Sequence, residues 1–505
     1  MNIFNQLKIV SGLFLCSALL AGCGGSDNKK TTLSSSSRSS NSSLSSIKQS
    51  SSSASSVLPT NTTRQGIVSV ADIKYGGVIL DALGSPKCGV DIYHYTYNTL
   101  GGKGEATTAS AALFVPTGAA STCLGARPLL IDLHGTDPRK SLNLANFNEE
   151  ETQLSIAFFA AHGYITIMPN YAGYDTSSLP YHPYLNADQQ SQDVIDAIEA
   201  GKKVLATVST STKENGKLFL TGYSQGGYVA MATHRAMQAR GMTVTASMPA
   251  AGSYALSSIV DMAFKGQPSD GAGLYLPMIV NSYQNSYGDL YNSASDIYTA
   301  TFASNIETLV PGKLSAEDLF SSGALTPFLF GTDAPNYSSV APAYKSYYGT
   351  PENSLVKSSY LAELLNDVIA NPCSTNLANP LACTPKNKFR AAVLKNDLRN
   401  WVPTSPMLLC GGHDDSQVYF ISSQDTKAYF DANGAKTVSL LDVDSPINPN
   451  DPYVTAKNIF LSEKNQLIKA ANAAGANPDE LLREYSHDLP VDSCNIAARN
   501  FFDGF

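Results

Sequence analysis

The stretch KLFLTGYSQGG, residues 217–227, decides the fold of this 505-residue chain. An apolar, β-like run leads into it, and a helical pattern rich in Ala and Met follows it to Arg240. Within it, Ser224 has a Gly two residues away on each side. Glycines remove the side chains that would clash in a strained strand–turn–helix connection. The stretch therefore predicts a turn that projects the Ser224 hydroxyl from the edge of a sheet.

Outward from this turn, short apolar runs alternate with amphipathic helical patterns. Strands are predicted at 89–100, 107–116, 128–133, 164–168, 217–221, 243–249, 407–410 and 437–443, and helices at 151–162, 187–205, 225–240, 422–433 and 495–502. Such alternation predicts an α/β fold, in which helices cover both faces of a mostly parallel sheet.

Two stretches, at about 253–400 and 445–486, interrupt the alternation and are predicted to be insertions. The first is long enough to form a helical cap over a site; the alternative is a packing appendage without a gating role. It contains tyrosines that either line an acyl or aromatic pocket or, as we expect for most of them, pack the insertion itself. These are Tyr275, Tyr283, Tyr287, Tyr291 and Tyr298.

A serine hydroxyl needs a base to remove its proton, and the base needs a carboxylate to orient it. On strand–turn–helix sites of this kind the chain order is Ser, Asp or Glu, His. Three histidines follow Ser224. His234 lies on the predicted helix directly after the turn and points along it, and His413 is adjacent to the candidate acids. His487, in a loop before the terminal helix, is the predicted base.

Two neighbouring carboxylates, Asp414 and Asp415, follow the predicted strand at 407–410. Either residue type could orient the imidazole and stabilise the imidazolium, without itself taking the proton. Position along the chain alone leaves both open.

Together these residues resemble the α/β-hydrolase superfamily, and within it the secretory-lipase-like esterases. The resemblance covers most of residues 85–505, although the two insertions match poorly. It rests on residues 163–171 (GYITIMPNY), 181–185 (YHPYL), 222–227, 410–419 and 487–505. It implies the α/β-hydrolase fold and hydrolysis of carboxylic esters through an acyl-enzyme, without a metal or cofactor.

The resemblance also bears on the acid and on the oxyanion hole. In many hydrolases of this fold the acid lies in Gly-x-x-Asp-x-x-Val, a spacing that residues 412–418 match, and this favours Asp415 over Asp414. Two backbone N–H donors are needed for the oxyanion. One is predicted on Gln225, directly after the nucleophile. The other is predicted on Thr136, with Gly135 as the alternative, because the preceding His-Gly pair resembles the oxyanion loop of lipases and esterases. His134 is interpreted as a structural residue of that loop.

The N-terminus is typical of an exported protein. Lys8 precedes an apolar run, residues 9–21, with the length of a signal-peptide core and too short to span a bilayer comfortably. The run ends in LAGC, residues 20–23, which looks like the lipobox of bacterial lipoproteins. Residues 1–22 are thus a predicted signal peptide and Cys23 the predicted lipidation site, with an ordinary secretory signal as the alternative. We expect a lipid anchor in the bacterial envelope, at the outer membrane, or secretion.

Residues 34–56 contain 16 serines in 23 positions and have almost nothing apolar to bury. Residues 23–63 are therefore predicted to be a disordered tether, and residues 64–505 the catalytic domain. The tether is similar to linkers of exported enzymes that degrade plant polysaccharides, which hints at polysaccharide-linked esters. A net charge of −8 argues against a nucleic-acid partner, since phosphate contacts need clustered Lys and Arg.

Six cysteines lie beyond the signal, and an even number in an oxidising compartment predicts disulfides. Pairing by neighbourhood gives Cys88–Cys123, Cys373–Cys383 and Cys410–Cys494. The last bridge would tie the strand before the candidate acids to the segment after His487. No cysteine spacing matches a common zinc motif, so no metal site is predicted.

Two other functions compete with an esterase. A peptidase of the prolyl-oligopeptidase kind shares the order of the triad, but residues 64–125 are too few for the propeller that such chains usually carry. A surface-anchored binding protein on an inactive hydrolase scaffold is the alternative of another class. Labelling by a fluorophosphonate, which requires an activated serine, distinguishes it from an enzyme.

Overall fold

The computed structural model describes residues 59–74, 77–209, 211–448 and 450–505. The predicted signal peptide, Cys23 and the tether up to residue 58 lie outside the described residues. Among the helices of the described ranges, none combines the length and the apolar character that crossing a bilayer requires.

Nine strands form one sheet, in the order β1-β2-β3-β5-β4-β6-β7-β10-β11, and two further strands pair with each other. The strands are β1 (Asn61–Val68), β2 (Gly89–Leu100), β3 (Ala106–Thr117), β4 (Gly125–Leu133), β5 (Ile165–Pro169), β6 (Thr212–Tyr223), β7 (Ala246–Ala250), β8 (Phe330–Gly331), β9 (Tyr348–Gly349), β10 (Met407–Gly411) and β11 (Val438–Asp442). From β5 through β4, β6, β7 and β10 to β11 every neighbouring pair is parallel. The three pairings at the β1 end are antiparallel.

Helices follow most of the strands. They are α1 (Gly77–Leu83), α2 (Glu150–Phe158), α3 (Ala187–Val208), α4 (Gln225–Ala239), α5 (Leu256–Phe264), α6 (Ala272–Tyr287), α7 (Ala300–Ala303), α8 (Ile306–Leu309), α9 (Ala316–Ser321), α10 (Ser358–Ala370), α11 (Lys388–Lys395), α12 (Ile421–Ala432), α13 (Val454–Ala474), α14 (Pro478–Glu484) and α15 (Pro490–Asp503). Short 3-10 helices lie at Ser121–Cys123, Ala160–His162, Ala294–Asp296, Tyr337–Ser339 and Pro342–Tyr347.

Strand β1 begins at Asn61, three residues before the predicted start of the domain at residue 64, and it was not predicted. Most of its side chains are exposed, so it carries no apolar alternation from which a strand could be inferred. The terminal helix begins at Pro490 rather than 495, because Pro is favoured in the first helical turn.

The two insertions are largely helical. Helices α5 to α11 and the β8–β9 pair lie between β7 and β10, and α13 and α14 lie between β11 and the loop that carries His487. Apolar side chains of the first insertion join those of the sheet in one buried cluster. Of the five tyrosines singled out from the sequence, Tyr283 and Tyr298 are almost fully buried, in keeping with a packing role.

All three cysteine pairings expected from neighbourhood are present. The S–S distances are 2.04 Å for Cys88–Cys123, 2.09 Å for Cys373–Cys383 and 2.02 Å for Cys410–Cys494. The third bridge joins strand β10 to helix α15. It therefore ties together the two elements that flank the loops of Asp415 and His487.

Candidate active site

Ser224 occupies a strained turn between β6 and α4. Its backbone has φ 58° and ψ −120°, which side-chain-bearing residues rarely adopt, and its N–H donates to the carbonyl oxygen of Ala250 at 3.0 Å. The turn is held by close approach of neighbouring backbone. A Cβ at Gly226 would lie 1.7 Å from the carbonyl oxygen of Leu133, and one at Gly227 would lie 2.0 Å from that of Ala250. Only glycine fits these positions.

His487 and Asp415 form a buried pair. The imidazole Nδ1 lies 2.7 Å from one carboxylate oxygen of Asp415, and the residues are 5% and 3% exposed. The other carboxylate oxygen accepts the backbone N–H groups of Gln417 and Val418, both at 2.9 Å. These bonds fix the carboxylate in the loop after β10. A carboxylate can only accept here, so Nδ1 carries the hydrogen and Nε2 is left with its lone pair.

Asp414 faces elsewhere. Its side chain is 68% exposed and lies 3.7 Å from His413 Nε2 and 3.8 Å from Lys464 Nζ. Of the two adjacent carboxylates, the structure thus brings Asp415 to His487 and leaves Asp414 at the surface.

The loop of His487 is tied to the serine turn. The hydroxyl of Tyr223, the residue before Ser224, donates to the carbonyl oxygen of His487 at 2.7 Å. The buried Nε2 of His487 has no hydrogen-bond partner among the described residues. Burial opposes protonation of the ring, but the charge and the hydrogen bond of Asp415 outweigh burial and raise the pKa of His487 above its ordinary value.

The other two histidines beyond Ser224 have different partners. His234 is buried on α4, with Nδ1 2.8 Å from the hydroxyl of Ser247. His413 is 46% exposed and its Nδ1 lies 2.9 Å from Asp442. Neither pairs with Asp415.

The loop after β4 lies beside the serine turn. A Cβ at Gly135 would lie 3.9 Å from Ser224 Cβ. The N–H of Gly135 donates to both carboxylate oxygens of Glu151, at 3.1 and 3.2 Å, a contact that the sequence did not reveal. The backbone N–H groups of Thr136 and Gln225 have no acceptor in the part of the chain that the structure describes. These two N–H groups can therefore donate to a ligand beside the turn.

His134 is part of the framework of this loop. It is 1% exposed, its Nδ1 lies 2.7 Å from the carbonyl oxygen of Gly135, and its ring stacks on Tyr171 at 4.1 Å. Burial lowers the pKa of His134 to about 4, so the ring is neutral at ordinary pH. These contacts agree with the structural role expected for it.

A cavity of about 80 Å³ extends from Ser224 and Gln225 into the first insertion. No charged side chain lines it within the described residues. Its apolar lining includes Leu256, Ile259, Val260, Phe264, Leu276 and Ile279. Of the five tyrosines named from the sequence, Tyr275 contributes to this lining.

Known proteins resemble this chain in part of its sequence and in its structure. A family model described as the prolyl oligopeptidase family matches residues 150–252. No curated protein matches the chain at a significant level. The structure of the rice cell wall degrading esterase LipA from Xanthomonas oryzae is similar, at 25% identity and a TM-score of 0.62, over 85% of this chain and 98% of that one. A protein of Legionella pneumophila shares the fold, at 19% identity and a TM-score of 0.59, over 76% of this chain and 91% of that one.

The predicted fold class is confirmed by the sheet and by these similarities. A serine on a strained turn between a strand and a helix is a feature of the α/β-hydrolase fold. The chain is an α/β-hydrolase with a lipase- and esterase-like structure, and it is a serine hydrolase.

Proposed function

We propose that the protein is a carboxylic ester hydrolase with Ser224, Asp415 and His487 as its catalytic triad. The observation that carries this proposal is the buried His487–Asp415 pair, 2.7 Å apart, in a loop bonded to the residue before Ser224. A base, its orienting carboxylate and a strained serine together make up the machinery of acyl transfer.

In the proposed first step, Ser224 Oγ attacks the ester carbonyl carbon while its proton passes to Nε2 of His487. The Asp415 carboxylate stabilises the imidazolium that forms. The carbonyl oxygen becomes an oxyanion, which the N–H groups of Gln225 and Thr136 would bind. Loss of one such donor costs on the order of 3 kcal/mol in the transition state.

The proton then moves from His487 to the alkoxy oxygen as the carbon–oxygen bond breaks, and the alcohol leaves. An acyl group remains on Ser224. Water attacks the acyl carbonyl carbon while His487 takes a proton from the water. That proton then passes to Ser224 Oγ as the bond from Oγ to the acyl carbon breaks, which releases the acid and restores Ser224 and neutral His487.

The apolar lining of the cavity supports the proposal that the substrate carries an aliphatic acyl group. An alkyl chain placed there would lose its contact with water against apolar side chains of α5 and α6. We expect kcat/KM on nitrophenyl esters to rise from acetate to medium-length chains and to fall once the chain outgrows the cavity. Val260→Phe should reduce turnover of the longer esters and spare the acetate. Ile369→Phe, at a position 78% exposed, is the matched control.

An aryl amide, a feruloyl ester and acetylated xylan complete the substrate panel. The amide tests the peptidase alternative, which the family model over residues 150–252 favours. The xylan and feruloyl esters test a polysaccharide-linked alcohol, which the similarity to a cell wall degrading esterase favours. Faster turnover of the amide than of every ester would contradict the proposal.

Export is also proposed. The three disulfides support folding in an oxidising compartment. The lipid anchor on Cys23 stays a prediction from the sequence.

The pH dependence of kcat/KM should report the His487–Asp415 pair. The base acts when neutral, and Asp415 raises the pKa of His487, so activity should fall with acid at a pH above the ordinary value for histidine. Asp415→Asn removes the charge that raises this pKa. We therefore expect that variant to move the acid limb to lower pH and to lose about 10⁴-fold in kcat, as in other triads.

Asp414→Asn is the control for this experiment. It changes the neighbouring, exposed carboxylate and should leave both the acid limb and kcat close to those of the unsubstituted protein. The assignment of the acid is wrong if Asp414→Asn, rather than Asp415→Asn, shifts the profile.

A further inference from the structure

The side chain of Gln225 is anchored by His182. Gln225 is 3% exposed, and its amide Nε2 lies 2.7 Å from Nε2 of His182, which is 2% exposed. The two residues are 43 positions apart in the chain. The residue that offers one proposed oxyanion donor through its backbone is thus held through its side chain.

The direction of this hydrogen bond follows from the other ring nitrogen. His182 Nδ1 lies 2.9 Å from the carbonyl oxygen of Ala172, which can only accept, so Nδ1 carries the hydrogen. Nε2 therefore accepts a hydrogen from the amide of Gln225. Burial lowers the pKa of His182 to about 3, so the ring keeps this neutral form at any pH at which the protein would work.

Tyr184, two residues further on, contacts the other proposed donor. Its hydroxyl lies 2.7 Å from the hydroxyl of Thr136, and the residue is 4% exposed. The N–H of Tyr184 also donates to the carbonyl oxygen of His182 at 2.8 Å, so the two residues share one turn. A single short segment therefore contacts both Gln225 and Thr136.

Aromatic packing joins the same segment to the loop after β4. The ring of His182 stacks on Tyr171, with centroids 5.7 Å apart and an angle of 15° between the planes. Tyr171 stacks in turn on His134 and donates its hydroxyl to the carbonyl oxygen of His134 at 3.2 Å. His134 lies two residues before Thr136, so the stack joins His182 to the loop of Thr136.

We propose that His182 and Tyr184 are positioning residues that set the distance between the two oxyanion donors. We call this pair the donor clamp. The inference rests on the proposed function, because it needs Gln225 and Thr136 as donors. An oxyanion hole stabilises the transition state through donors placed at 2.7–3.1 Å before the reaction begins, so small displacements of either donor lower the rate.

The test compares Tyr184→Phe and His182→Phe with Tyr95→Phe. Tyr184→Phe removes the contact with the Thr136 hydroxyl and keeps the ring. His182→Phe removes the bond to Gln225 together with the bond to Ala172, and replaces the imidazole with a phenyl ring. Tyr95→Phe removes an equally buried hydroxyl, which donates to the carbonyl oxygen of Ala197 at 2.8 Å. We expect kcat to fall about tenfold in Tyr184→Phe and more in His182→Phe, with KM within about twofold, and no change in Tyr95→Phe.

Two ligands separate donor geometry from the shape of the cavity, which Tyr184 also lines. An alkyl trifluoromethyl ketone forms a bond from its carbonyl carbon to Ser224 Oγ, the serine proton passes to His487, and the ketone oxygen becomes an oxyanion. The corresponding carbinol has the same shape and forms no oxyanion. In the donor-clamp variants the inhibition constant of the ketone should rise by the same factor as kcat/KM falls, and that of the carbinol should not change.

The outcomes of these measurements test the donor clamp and the proposed function separately. The donor clamp is overturned if the variants bind the ketone and the carbinol more weakly by the same factor. It is also overturned if kcat and inhibition by the ketone are unchanged in both variants. In either case turnover that depends on Ser224 persists. Turnover that persists unchanged in Ser224→Ala overturns the proposed function instead. If His182→Phe does not fold, as judged by its thermal unfolding midpoint, Tyr184→Phe alone decides, because it removes one hydroxyl only.

Discussion

Replacement of Ser224 by alanine is expected to reduce turnover of nitrophenyl esters by at least about a thousandfold. The acyl-enzyme cannot form without the serine oxygen, and what remains is the weaker assistance of the oxyanion donors and of binding. The backbone of the turn should be undisturbed, because its strain is imposed by the glycine contacts around it. The measurement is kcat/KM at a pH above the acid limb of the profile, together with labelling by a fluorophosphonate probe.

Ser253→Ala is the matched control. Ser253 lines the same cavity as Ser224 but lies outside the turn. It should keep most of the turnover and all of the fluorophosphonate labelling, both of which Ser224→Ala should lose. Unchanged turnover in Ser224→Ala would defeat the whole assignment.

His487→Ala should be nearly as damaging as loss of the serine. Without the imidazole no group takes the serine proton, and the Asp415 carboxylate is left buried without its partner. His413→Ala should reduce turnover far less, because that ring is 46% exposed and pairs with Asp442. The comparison requires both variants at the same pH, with folding verified by circular dichroism.

The decisive result is which of the two histidine variants loses more activity. If His413→Ala loses more activity than His487→Ala, the base has been misassigned. Equal, small losses in both would point to a residue outside the proposed triad.

The serine turn could be predicted because its signal is local. A short apolar run, two glycines about a serine and a helical pattern all lie within 24 residues, from 217 to 240. The acid was harder, because Asp414 and Asp415 differ by one position and only the path of the loop after β10 turns one of them toward His487. Strand β1 could not be predicted, since its exposed side chains leave no apolar pattern.

Contacts between polar residues that are far apart in the chain could not be predicted from the sequence. The bond from Gln225 to His182 joins two buried side chains 43 positions apart, and no periodic pattern links the two positions. The same holds for Glu151, whose carboxylate accepts the N–H of Gly135, the alternative to Thr136 as the second proposed donor. Such pairings depend on the packing of whole elements, which spacing along the chain does not encode.

The glycines of the serine turn are needed for folding, whether or not a chain of this fold is catalytic. Carbonyl oxygens of Leu133 and Ala250 forbid any side chain at Gly226 and Gly227, so a descendant that had lost catalysis would still have to keep those glycines in order to fold. At position 224, by contrast, φ is +58° and glycine would be the easier residue. A serine at a position where the backbone conformation favours glycine needs another reason, and the proposed role of Ser224 as the nucleophile supplies one.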